Sequence, residues 1–186
     1  MRIRSEEIIL KRSTWAGLCL GLALWVGCGK PDIEVYTVQS LPPRVTVPQG
    51  WKEVPTSSMM RSQKQRFEIK HIGKDGNTTA MATLTVLPGK ARDVSMEDYL
   101  RQNIDRWRMQ VGLGPLAEEA KVGDYLKSVP GLPDEARCLD VNGTLSSTVG
   151  VLVPYSRAVW VYKLSGDPMV VGKERDVFLK LLPAWQ

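Results

Sequence analysis

From Trp15 to Gly27 the chain carries no charged side chain, and this apolar run stops at Cys28. Arg2, Arg4, Lys11 and Arg12 precede it, and the polar, helix-hostile segment Gly29-Lys-Pro-Asp-Ile-Glu34 follows. A helix needs roughly 20 apolar residues to cross a bilayer, so the run is too short to span one and cannot be extended. Everything that folds must therefore come after it. Residues 28–186 are long enough for one domain with a substantial core.

A positive segment, an apolar segment, a small residue and then cysteine is an order that resembles a bacterial lipoprotein signal. Gly27 and Cys28 match the last two positions of that motif, and Val26 fits the one before. The resemblance implies cleavage before Cys28, with diacylglycerol on its thiol as a membrane anchor. It further implies a bacterial cell-envelope address, facing the periplasm or the exterior, with a secreted form as the alternative. The layout expected is a signal peptide over 1–27, a lipidated N-terminus and tether over 28–47, and a single domain over 48–186.

Charge narrows the partners. The chain has 25 Lys and Arg against 20 Asp and Glu, a formal +5, and four of those cations sit in residues 1–27. The remaining excess is scattered, with no tract that would neutralise a phosphate backbone, so nucleic acid is not an expected partner. Cysteine usage leaves two readings. With Cys28 acylated, Cys138 is a buried structural thiol; with Cys28 unmodified, a Cys28–Cys138 disulfide is available in an oxidising compartment.

Prolines at 42, 43 and 48 mark the tether, in which Ile33–Val38 has the pattern of a short strand. Pro48-Gln-Gly-Trp51 reads as a turn that delivers Trp51 into the core. Gln65–Ile72 and Thr79–Val86 then alternate polar and apolar residues on either side of Lys74-Asp-Gly-Asn77, the signature of an antiparallel hairpin with a turn longer than two residues. Phe67, Ile69 and His71 share one face of it. His71 is the sole histidine, and the sequence offers it neither a metal-ligand neighbour nor a catalytic partner.

Ser95-Met-Glu-Asp98 opens the clearest helix, with Ser95 as cap and two acids at the positive end of the backbone dipole. Leu100, Ile104, Trp107 and Val111 form its apolar stripe, and Arg101–Asp105 is spaced for an ion pair on its polar side. Arg106, Trp107 and Arg108 place two cations around an aromatic. The stripe makes Trp107 a packing residue first, with the triplet as the candidate partner-binding patch. Leu116–Lys121 suggests a further helical turn. Strands are expected over 136–142, 148–153 and 158–164, and a second helix over 168–182 with Asp167 as cap and Pro168 in its first turn. Pro183 ends that helix and leaves Ala184-Trp-Gln186 as a short tail.

Gly50-Trp51, the hairpin, Arg106-Trp-Arg-Met-Gln-Val-Gly-Leu113 and Trp160-Val-Tyr-Lys-Leu-Ser-Gly166 with its helix resemble an uncharacterised group of exported bacterial proteins. More distantly, the element order resembles the Mog1/PsbP-like α/β/α sandwich. The expected class is α+β, an antiparallel sheet of five or six strands flanked by helices, with Trp107 and Phe178 turned inward. No Ser/His/Asp set, metal cluster or glycine-rich cofactor loop is visible, so no catalytic residue, metal or cofactor is expected. A non-catalytic domain that binds or scaffolds an envelope protein or surface component follows, against a small envelope hydrolase with a site built from separate loops.

Overall fold

The computed structural model describes residues 45–56, 61–73, 76–89, 94–155 and 157–185. Residues 1–27, expected as a signal peptide, Cys28 and the strand expected over Ile33–Val38 lie outside the described residues. Six strands form one sheet: β1 (Trp51–Glu53), β2 (Gln63–Gly73), β3 (Gly76–Pro88), β4 (Arg137–Asn142), β5 (Ser147–Tyr155) and β6 (Ala158–Gly166). Helix α1 (Met96–Gln110) lies between β3 and β4 in the chain, and α2 (Pro168–Leu181) follows β6. The strand order is β1-β2-β3-β6-β5-β4, and every pairing is antiparallel. The fold is α+β, as the patterning implies.

Two meanders, β1–β3 and β4–β6, meet where β3 pairs with β6 from Ala80↔Gly166 to Pro88↔Ala158. The β2–β3 ladder continues to Gly73↔Gly76. It leaves only two residues between the strands, a tighter connection than the sequence pattern suggested.

Which face a side chain takes explains the patterns. Phe67, Ile69, Ala80, Ala82, Leu84, Val149, Val151, Val153, Tyr162 and Leu164 form one buried layer with Val170, Val171 and Phe178 of α2. Residues of the opposite parity, among them Leu139, Val141, Leu152, Val159 and Val161, pack with Ile104, Trp107 and Val111 of α1. One helix therefore covers each face. The α1 layer draws its strand residues from β4, β5 and β6, whereas β2 turns Arg66, Glu68 and Lys70 to that side. So β2 alternates, with one wet face, while β5 is buried continuously from Ser147 to Val153.

Helix α1 begins as its sequence requires: the Ser95 hydroxyl accepts the Asp98 N–H at 3.0 Å. The Arg101–Asp105 pair does not form. Arg101 donates to the carbonyls of Ala117 (3.1 Å), Glu118 (3.4 Å) and Ala120, and Asp105 accepts the Leu116 N–H at 2.7 Å. Carbonyls and an amide of the next loop outcompete an exposed helix pair worth only about 0.3–0.5 kcal/mol. The helical turn expected over 116–121 is displaced to a 3-10 turn at Val122–Tyr125.

The largest departure is at the C-terminus. Residues Leu182–Trp185 form a 3-10 turn, and Trp185 is fully buried instead of belonging to a loose tail. Its ring meets Phe67 and Tyr162 edge-on at centroid distances of 5.3 and 5.4 Å, with Phe178 at 6.4 Å. Its indole N–H donates to Gln65 and its carbonyl accepts the Tyr162 hydroxyl at 3.0 Å. Both polar ends of a buried aromatic are satisfied, which lets it close the α2 layer.

Candidate functional site

Helix α2 crosses its face of the sheet with one polar side chain reaching out on each flank. Towards β1 and β2, Glu174 accepts the Trp51 indole N–H at 2.9 Å with one oxygen and holds His71 Nε2 at 3.0 Å with the other. Towards β4, Arg175 Nε donates to Asp140 at 2.6 Å, and its Nη1 donates to Asp176 at 3.0 Å. These bonds raise the already high Arg175 pKa, chiefly through the one to Asp140. Neighbouring residues of one helix thus tie it to opposite edges of the sheet.

The histidine that had no partner in the sequence therefore has a carboxylate. No motif signalled the pair, because His71 and Glu174 lie 103 residues apart and meet only when α2 lies on the sheet. His71 and Glu174 side chains are 25% and 13% exposed, so the pair is sheltered without being sealed. Both oxygens of Glu174 are engaged, which makes it a positioning group for the imidazole and for Trp51.

On the Arg175 side lies a cavity of about 550 Å³. One wall is the segment Lys127-Ser-Val-Pro130; the other is Arg175, Asp176, Leu179 and Lys180 of α2, with Pro183 beyond it and Cys138 at the base. The first wall is fixed to the edge of β4 by reciprocal backbone bonds, Lys127 N–H to Cys138 O (2.9 Å) and Cys138 N–H to Lys127 O (2.8 Å). Gly131, at φ +81°, turns the chain so closely past Pro183 that a Cβ there would meet its ring at 3.0 Å. Cys138 is 4% exposed, and burial, with Asp140 nearby, pushes its thiol up to about 11. It stays protonated at neutral pH and is a packing group, not a nucleophile.

The α1 triplet is divided by the fold. Trp107 is 4% exposed and lies over Gly150, Arg106 is exposed, and Arg108 Nε donates to the Gly114 carbonyl at 2.8 Å. The two cations stay outside while the aromatic between them points into the sheet. Cys28 lies outside the described residues. Among the described residues no group of three His, Cys, Asp or Glu comes together to hold a metal, and no helix is long and apolar enough to cross a membrane.

The class defined by these features is a two-faced antiparallel α+β domain with a cation-rimmed groove beside its C-terminal helix. No protein-family model matches the chain, and no curated protein sequence matches it. Among solved structures it is similar to LpqN of Mycobacterium tuberculosis, described as involved in cell envelope biogenesis. The identity is 19%, over 76% of this chain and 78% of that one, with a TM-score of 0.38. At that score the backbones differ too far for residue roles to pass from one to the other.

Proposed function

We propose that this chain is an envelope lipoprotein whose α+β domain binds or scaffolds another envelope component. The observation that carries this reading is the uncharged run from Trp15 to Gly27 ending at Cys28, with basic residues before it. Cys28 receives the lipid, residues 28–47 serve as tether, and the domain stands at the membrane surface, facing the periplasm or the exterior. The groove between Lys127–Pro130 and α2 supports a binding role by offering the domain a recess with cations at its rim.

Metabolic labelling with a fatty-acid analogue tests the anchor. Wild-type chain is expected to incorporate label and the Cys28→Ser variant to lose it; equal incorporation in both rejects Cys28 as the attachment point. The His71–Glu174 pair at 3.0 Å favours one competing reading, a small hydrolase in which Glu174 orients the imidazole. Turnover of an envelope ester or amide that His71→Ala abolishes, with the fold retained, would replace the binding role by that one.

A further inference from the structure

The groove beside α2 combines two features that a plain surface recess lacks. Its two lysines stand on anchored backbone and, among the described residues, have no carboxylate partner. Lys127 is fixed by the two backbone bonds to Cys138, and Lys180 projects from the last turn of α2. Among the described residues neither ammonium lies within ion-pair distance of a carboxylate. Arg175, on the same helix as Lys180, is held by Asp140 through Nε and by Asp176 through Nη1, which leaves further N–H donors of its five-donor fork unused by either bond. Three cations against two carboxylates leave the site one positive charge in excess.

The second feature is the wall chemistry. Val129, Pro130, Leu179 and Pro183 line the groove, and the two prolines have no backbone N–H to offer a ligand. A ligand that fits needs one end carrying a single negative charge with several acceptor oxygens, to meet donors arriving from Lys127, Lys180 and Arg175. Its other end must be apolar. A phosphate diester suits the polar end better than a planar carboxylate, since its tetrahedrally disposed oxygens can accept from donors on both walls at once.

We propose that the groove between Lys127–Pro130 and Arg175–Pro183 binds the phosphate of an anionic amphiphile, with the acyl end against Val129, Pro130, Leu179 and Pro183. This deepens the binding role proposed above and rests on the domain residing at a membrane, where phosphodiester amphiphiles are abundant. The same polar chemistry comes from free phosphate, so the sources are separated by the probes.

Native mass spectrometry of the full chain in a non-ionic detergent, with added phosphatidylglycerol, phosphatidylcholine or inorganic phosphate, tests it. One phosphatidylglycerol per chain is expected to be retained. Retention should fall about fivefold in Lys127→Gln and again in Lys180→Gln, the worth of one partly exposed ion pair each. Both lysines are exposed, so neither change endangers the fold, and Lys173→Gln, on α2 outside the groove, is the control expected to behave as wild type. Retention of phosphatidylcholine equal to that of phosphatidylglycerol, inorganic phosphate held as well as the lipid, unchanged retention in the double lysine variant, or no lipid at all would each overturn the proposal. Repeating the measurement on Cys28→Ser separates the two readings, because a covalent acyl mass reports the anchor and a dissociable lipid reports the groove.

Discussion

Gly150 of β5 lies directly beneath the Trp107 ring, and a Cβ built on it would come within 2.2 Å of Cζ3, 2.5 Å of Cη2 and 2.7 Å of Cε3. Real Cβ contacts do not approach so closely, so Gly150→Ala must displace the indole. The ring has little room, since Trp107 is 4% exposed among Ile104, Val111, Leu139, Val141 and Leu152. Overpacking of a filled core costs about 1–3 kcal/mol, and a rigid bicyclic ring belongs towards the upper end, about 2–3 kcal/mol. At Gly143 the same construction meets backbone instead: the Cβ would sit 1.9 Å from the Val111 carbonyl oxygen. A carbonyl at a helix end cannot change rotamer, so Gly143→Ala is expected to cost more than Gly150→Ala. Urea unfolding followed by circular dichroism gives both values and their order. The cost at Gly150 can be assigned to the ring by a double-mutant cycle. Trp107→Leu alone opens a cavity and destabilises by on the order of 2–4 kcal/mol, yet it makes room for the new methyl, so the two changes together should cost at least about 1 kcal/mol less than their sum. Additive costs, or a Gly150→Ala variant within about 0.5 kcal/mol of wild type, would refute the packing account.

Two further outcomes follow from buried groups, Trp185 and Cys138. Removing residues 183–186, or changing Trp185→Ala, takes out the ring shared by Phe67, Tyr162 and Phe178, and should destabilise by about 3–5 kcal/mol in the same assay; a loss below about 1 kcal/mol would mean this segment is the loose tail its sequence suggests. Cys138, raised from 9.0 to about 11, binds its proton more tightly in the folded state, so its contribution is complete below pH 9 and lost as pH rises towards 11. Wild type should therefore lose on the order of 2 kcal/mol more than Cys138→Ala between pH 8 and 11, and parallel stability curves for the two proteins would reject the buried-thiol account.

The two helices and five of the six strands were legible in the sequence because local pattern sets each of them, whereas β1 and the two 3-10 turns carried no such pattern. Alternation marked β2 and β3, a stripe at helical spacing marked α1, and Ser95, Asp167 and Pro168 marked where the helices begin. Burial of Trp107 and Phe178 followed from helical spacing, and that of Trp51 from the turn that delivers a large aromatic into the core. Strand order did not follow, since pairing β3 with β6 joins segments about 80 residues apart, and alternation says which face is buried but not which strand lies alongside. The carboxylate beside His71, the loop carbonyls that draw Arg101 from Asp105, and the closure of the core by Trp185 have the same origin. Each depends on where a helix comes to rest on the sheet, a matter of packing between distant segments. The groove is likewise tertiary: Lys127 and Lys180 lie 53 residues apart in the chain, and only the Lys127–Cys138 bridge and the seat of α2 bring them to one recess. Cys28 and its apolar run are the converse case: their resemblance to a lipoprotein signal is carried wholly by the linear order of residues and needs no fold to be read.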